Sequence, residues 1–191
     1  MIEIIKKELQ LHNEVSSKMY QLSSSIKSIT KLAIESIDAN GKIILFGNGG
    51  SASDAQHIAA ELVGRYKTTR KGLAAIALTT DNSALTAISN DFGYENVFKR
   101  QLEALLNEND LVIGISTSGK SSNVLNALEY AKNHGAKVIG FSGAQGGKMN
   151  KICDINLVIP SNDTPRIQEM HILVGHTICH MIDLNFSRKT L

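Results

Sequence analysis

From residue 42 onward the apolar residues gather into five short runs, at 42–46, 74–78, 111–115, 137–141 and 155–159. Each is too short for a core helix and carries the aliphatic side chains of a strand. Between them, 52–66, 94–106 and 121–134 repeat their apolar positions at helical spacing, and Thr164-Pro165 opens a further helix, proline being suited to a first helical position. Strands alternating with helices through right-handed crossovers predict an α/β fold with a five-stranded parallel sheet covered on both faces. Ahead of the sheet, the first 40 residues contain neither glycine nor proline. Ile4, Leu9, Met19, Ile26, Ile29, Leu32 and Ala33 recur there at roughly helical intervals, which predicts one or two helices.

At 191 residues with 42% hydrophobic content, the chain can bury a sizeable core, and one domain over 1–191 is expected, with 1–40 as its helical extension. The formal charge is only +2, with Lys and Arg scattered along the chain, so nothing concentrates positive charge for a nucleic acid. No apolar run is long enough to span a bilayer, and the mixed apolar and charged start, Met1-Ile2-Glu3-Ile4-Ile5-Lys6-Lys7-Glu8, reads as an amphipathic helix. A cytoplasmic protein without membrane contact is the expectation. Cys153 and Cys179 cannot build a disulfide framework and are read as small buried residues.

Parallel sheets bind ligands beyond the carboxyl ends of their strands, so the loops there carry the candidate chemistry. The first follows the strand at 42–46: Gly47-Asn48-Gly49-Gly50-Ser51-Ala52-Ser53-Asp54-Ala55-Gln56-His57-Ile58-Ala59-Ala60-Glu61. Its glycines allow a tight turn, Ser51 or Ser53 can cap the following helix, and the free NH groups of that helix end favour an anion. Gly47, Gly49 and Ala52 also satisfy a dinucleotide-binding pattern, for which Asp81 is the nearest ribose-binding acid, although it comes later than that pattern asks. The second loop, Ser116-Thr117-Ser118-Gly119-Lys120-Ser121-Ser122-Asn123, packs hydroxyls against another helix start, where they can hold a phosphate monoester. Gly114 to Ser121 spells a Walker pattern too, but no later strand ends in the aspartate that usually completes a magnesium site.

These segments, together with Thr79-Thr80-Asp81-Asn82, Asn90-Asp91-Phe92-Gly93, Arg166-Ile167-Gln168-Glu169-Met170-His171 and His176, resemble the sugar isomerase (SIS) phosphosugar-binding family, and within it the phosphoheptose isomerases. The resemblance covers almost the whole chain. It implies a three-layer, flavodoxin-like sandwich and conversion of D-sedoheptulose 7-phosphate to D-glycero-D-manno-heptose 7-phosphate. That reaction is the first step of ADP- or GDP-heptose synthesis for lipopolysaccharide core or capsule. It also implies a homotetramer with interfacial active sites, residues 1–40 serving in oligomerisation, and one zinc ion per subunit held by His57, Glu61, Gln168 and His176. By the same likeness Ser116, Thr117, Ser118 and Ser121 hold the phosphate, Asn48, Gly49, Gly50, Ser51, Asn90, Asp91, Glu61 and Gln168 contact substrate, and Glu61 and His176 transfer protons.

Ketose–aldose isomerisation needs a base to move a proton between adjacent carbons through an enediol, and a group that stabilises charge on the oxygens. Glu61 suits the first role, and His176, with an ordinary pKa near neutrality, suits a shuttle. A carboxylate committed to zinc is a poorer base, so Glu61 as ligand and Glu61 as base remain alternatives. His57 and Glu61, four apart, share a helix face. Gln168 and His176, eight apart, lie ~12 Å apart along one straight helix and ~80° apart around it, so a common ion requires a distorted helix or two subunits. His134, His171 and His180 are read as packing residues, Asp163 as a turn or cap, and Arg65 as a further cleft residue. A second functional reading is a non-catalytic SIS regulator that binds phosphosugars and a replication initiator protein. Retention of both Glu61 and His176 favours the enzyme.

Overall fold

The computed structural model describes residues 1–187; residues 188–191, the end of the expected domain, lie outside the described residues. Two helices, α1 (Ile2–Ser16) and α2 (Ser23–Asp38), are joined by a 3₁₀ turn at Met19–Leu22. The sheet then begins with β1 (Ile43–Gly47), followed by α3 (Gly50–Val63) and β2 (Ala75–Ala77). Next come α4 (Asn82–Phe92), a 3₁₀ turn at Tyr94–Asn96, α5 (Val97–Leu105), β3 (Leu111–Ile115) and α6 (Ser122–Asn133). The chain continues through β4 (Lys137–Gly143), a short α7 (Met149–Ile152), β5 (Ile155–Ile159) and the long α8 (Thr164–Ser187).

All five strands are parallel, in the order β2-β1-β3-β4-β5. Successive side chains of a strand point to opposite faces, and the two cores divide accordingly. Ile43, Leu45, Ile113, Ile115, Ile139 and Phe141 pack with α2, α3 and α8 on one face. Ile44, Phe46, Val112 and Val138 pack with α5, α6 and α7 on the other. The result is the expected three-layer sandwich. From β1 the chain first moves outward through α3 to β2, then returns to place β3 on the other side of β1. The switch in direction therefore falls between β1 and β3, and the loops after Gly47 and Ile115 flank that crevice.

Several local expectations change. β2 is only three residues long, at the sheet edge, with the expected flanks at Ala74 and Leu78 still hydrogen-bonded to Ile43 and Leu45. The helix expected over 52–66 starts earlier, at Gly50, and ends at Val63, so Tyr66 lies in the loop beyond it. Neither Ser51 nor Ser53 caps it: Gly49 holds the cap position without a side-chain bond, and Ser51 is buried inside the first turn. Asp81 does follow the second strand, but it serves as a cap: its Oδ1 accepts the Ala84 NH at 2.9 Å at the start of α4, a helix the apolar pattern does not predict. No helix among the described residues is long and apolar enough to cross a membrane.

Candidate active site

The glycine turn is built for close backbone approach. Gly49 stands at φ 57° and ψ −124°, a conformation open essentially to glycine. A side-chain carbon on Gly50 would sit 2.6 Å from Gln168 Nε2, so the bare backbone there lets Gln168 lie across the start of α3. Asn48 and Asn123 exchange amide hydrogen bonds at 2.9 and 2.8 Å, and the Tyr94 hydroxyl donates to Asn48 Oδ1 at 2.9 Å. These bonds tie the turn to the first residues of α6.

At α6 the hydroxyl loop closes on itself, with Ser116 Oγ and Ser121 Oγ 2.9 Å apart and the Lys120 NH donating to Ser118 Oγ at 3.2 Å. The Thr117 carbonyl accepts from the Gly143 NH and the Gly119 carbonyl from the Lys148 NH, each at 3.0 Å, so two points of backbone brace the loop. Ser121 occupies the N-cap of α6 without a side-chain cap bond, leaving helix NH groups and the loop hydroxyls available to an anion.

A second group of side chains lies further along α3. His57 Nε2 is 3.2 Å from Glu61 Oε1 and 3.3 Å from His176 Nε2 of α8, and the candidate ligand atoms of the three residues lie within 4.8 Å of one another. Atoms bound at ~2.0–2.1 Å to a tetrahedral zinc ion stand ~3.3–3.4 Å apart, so this donor set of two imidazoles and a carboxylate fits such an ion. α3 and α8 run side by side in the same direction, with Gln168 at Gly50, Gly175 at Ile58 and His176 at His57. Gln168 is thus seated at the other end of the contact from the three clustered side chains, and α8 runs unbroken between it and His176, which places the two ~12 Å apart along the helix axis.

Electrostatics around the cluster are uneven. Asp54, one turn ahead of His57, has its carboxyl pushed up to about 6 by burial, partly offset by the His57 charge, and its Oδ2 is buried without a hydrogen-bond partner. Asp183 of α8 shows the opposite outcome. Burial pushes its carboxyl up, but the backbone NH groups of Thr68 and Lys67 and the guanidinium of Arg70 outweigh burial and hold it below its ordinary value.

A match to the family described as the SIS domain covers residues 10–143. A phosphoheptose isomerase of Aliarcobacter butzleri is 59% identical over 98% of this chain and 100% of its own length. The chain belongs to the SIS-domain family, among its phosphoheptose isomerases. Solved structures of family members agree. A phosphoheptose isomerase from Neisseria gonorrhoeae superposes with a TM-score of 0.90 at 40% identity, covering 95% of this chain and 97% of that one. One from Francisella tularensis gives 0.93 at 33% identity, over 96% and 98%.

In this phosphoheptose isomerase fold, the residues expected to act on substrate fall into two separated groups. Asn48, Gly49, Gly50, Ser116, Thr117, Ser118, Ser121 and Gln168 gather around the β1–β3 crevice, with Ser51 and Ser116 buried. Asn90 and Asp91 lie exposed at the last turn of α4, just ahead of Tyr94, with Asn90 Nδ2 donating to Asp91 Oδ1 at 2.7 Å. His57, Glu61 and His176 form the other group, and Arg65 is exposed beyond it. The sequence reading missed Asn123 and Tyr94, whose bonds to Asn48 have no periodic signature. It also missed Tyr66, whose ring stacks on His176 at 5.4 Å and lies 6.0 Å from His180. His180 thus packs, half-buried, against the Tyr66 ring, and His171 is fully buried as expected. His134 is exposed, stacked on Tyr130. Cys153 and Cys179 are free thiols, Cys179 buried and Cys153 half-buried, both pushed up to about 12 chiefly by burial.

Proposed function

We propose that the protein isomerises D-sedoheptulose 7-phosphate to D-glycero-D-manno-heptose 7-phosphate through an enediol. The observation that carries this reading is the convergence of His57, Glu61 and His176 beside a fold that presents a hydroxyl-lined phosphate loop. Glu61, on a half-buried side chain, removes the proton from the carbon next to the carbonyl and returns it to the neighbouring carbon, while His176 exchanges protons with the two oxygens. Ser116, Thr117, Ser118 and Ser121 hold the phosphate, and Asn48, Gly49, Gly50, Ser51, Asn90, Asp91 and Gln168 orient the sugar chain. In the alternative in which Glu61 serves as a ligand, a zinc ion held by His57, Glu61 and His176 would supply a Lewis acid for the developing charge on the substrate oxygens.

The two residue groups also bear on assembly. From Gly50 to Glu61 the axis of α3 runs ~16 Å, so the start of α3, where Gln168 lies, and the His57–Glu61–His176 cluster stand at opposite ends of the helix contact. This separation supports interfacial active sites in a homotetramer, in which Gln168 of one subunit joins the cluster of another. Exposed Ile2, Ile4, Ile5 and Leu9 on α1 support a role for residues 1–40 in that assembly. A cytoplasmic location, and supply of heptose to lipopolysaccharide core or capsule, complete the proposal.

The test is turnover of sedoheptulose 7-phosphate by purified protein. Glu61→Gln is expected to abolish isomerisation while phosphosugar binding, read by calorimetry, persists; an active Glu61→Gln protein removes Glu61 from the chemistry. Elemental analysis finding no metal, with turnover unaffected by chelators, would sink the zinc assignment.

A further inference from the structure

Tyr66 belongs to none of the phosphate, sugar or proton-transfer groups, yet its ring lies over that of His176 at 5.4 Å with only 25° between the planes. Its other neighbours confirm a fixed position: it packs against the core beneath α3 and α8, and Lys67 Nζ sits 5.4 Å over its ring. The loop that carries it is pinned from below. Asp183 Oδ2 accepts the NH groups of Lys67 and Thr68 at 2.8 and 3.0 Å, and Asp183 Oδ1 accepts Arg70 Nε at 2.6 Å. Arg70 in turn donates to the carbonyls of Glu61 at 2.9 Å and Leu62 at 2.8 Å. Both side chains of the pair are buried. Asp183 lies two turns beyond His176 on α8, on the same face. One buried ion pair thus fastens together the end of α3 that bears Glu61, the loop that bears Tyr66 and the helix that bears His176.

An imidazole on a helix turns readily about its second side-chain torsion, which is broad and roughly two-fold. A ring stacked on its flat face removes that freedom, because rotation breaks the contact. We propose that Tyr66 is a positioning residue: its ring holds the His176 imidazole with Nε2 turned toward His57 and Glu61, and the Arg70–Asp183 pair holds Tyr66 in place. The proposal rests on His176 acting in the isomerisation proposed above. It uses the face of the ring and not the hydroxyl, so phenylalanine substitutes for tyrosine.

Two readouts on the full chain test it. In steady-state turnover of sedoheptulose 7-phosphate, Tyr66→Leu is expected to lower kcat about tenfold with KM within about twofold, and Tyr66→Phe to stay within about twofold of the native protein in both. In proton–carbon NMR, the His176 ring protons of the native and Tyr66→Phe proteins are expected to be displaced upfield by the neighbouring ring, and to lose that displacement in Tyr66→Leu. If Tyr66→Leu does not melt cooperatively, Tyr66→Met takes its place. A folded Tyr66→Leu protein with native kcat overturns the proposal, as does a Tyr66→Phe protein as impaired as Tyr66→Leu, or a His176 signal that ignores the substitution. Absence of turnover in the native protein would instead remove the isomerase reading, and the NMR comparison would still decide whether Tyr66 fixes the ring.

Discussion

His171 predicts a specific acid sensitivity. It lies on the inner face of α8, fully buried, with its ring 5.8 Å from that of Phe141. Nε2 faces the Ser142 carbonyl at 3.0 Å, and a carbonyl only accepts, so Nε2 carries the proton. Nδ1 is buried without a partner, which leaves a second proton nowhere to be solvated. Burial accordingly pulls the imidazole down to about 4 from 6.5, against the smaller upward pull of the Ser142 bond. Between those values the unfolded chain binds a proton that the folded chain refuses, so stability is fully present above pH 6.5 and is lost as pH falls toward 4. At ~1.36 kcal/mol per unit, the single-site linkage between pH 7.5 and 4.5 amounts to about 2.5 kcal/mol, a large share of the ~5–15 kcal/mol by which domains are usually stable. His171→Gln keeps a donor for Ser142 and has no site to titrate. Urea unfolding of both proteins at fixed protomer concentration, at pH 7.5 and 4.5, isolates the term from every other carboxylate and histidine. The native protein should lose about 2.5 kcal/mol more than His171→Gln. Equal losses, or an NMR titration of His171 with a midpoint near 6.5, would refute the reasoning.

Two further outcomes follow from the site. Asp54 has its carboxyl pushed up to about 6 from 3.8, so the folded state holds its proton more tightly and stability falls as pH rises through that window. Asp54→Asn should therefore stabilise the metal-free protein at pH 7.5 by roughly 1 kcal/mol, a figure reduced from ~3 kcal/mol because the group is partly solvated. That gain should shrink below pH 6 and vanish by pH 4 in thermal melts; a destabilised variant at pH 7.5 contradicts it. Gly119 stands at φ 63°, and an added side-chain carbon would meet the Gly146 carbonyl oxygen at 2.2 Å. Gly119→Ala should displace the hydroxyl loop and weaken phosphosugar binding tenfold or more, with a loss of roughly 1–3 kcal/mol in unfolding stability. Native affinity by calorimetry would show that the loop does not grip the phosphate.

The sheet was legible because its central strands are buried on both faces and so appear as unbroken apolar runs: 111–115 coincides with β3 to the residue, and 155–159 with the partly buried edge strand β5. α4 was not, because it has no buried residue from which an apolar stripe could be read; Asp81 and its bond to Ala84 were its only local signal. The end of α3 was misread for a different reason. Arg65 and Tyr66 continue the pattern of a helix, but α3 ends at the C-cap Gly64, a local stop signal that the pattern overran. Asp183, a hundred residues away, then holds the loop by accepting the NH groups of Lys67 and Thr68, and tertiary hydrogen bonds of that kind leave no trace in local spacing.

The same distinction applies within the site. His57 and Glu61 could be paired from their spacing alone, since helical periodicity sets their distance. His176 could not, because its distance to His57 is fixed by how closely α8 approaches α3, and that depends on a single small residue. Gly175 faces Ile58 so tightly that a side-chain carbon on it would lie 2.5 Å from Ile58 Cδ1. The missing methyl lets the two backbones come together with His176 one residue further along, at 3.3 Å from His57. The glycine that matters for bringing His57, Glu61 and His176 together is therefore this one in the middle of an apolar helix. Those of the opening turn, Gly49 and Gly50, instead shape the crevice where Gln168 lies. A glycine inside a long apolar helix costs about 1 kcal/mol against alanine, and here the close helix contact at Ile58 and the placement of His176 offset that cost.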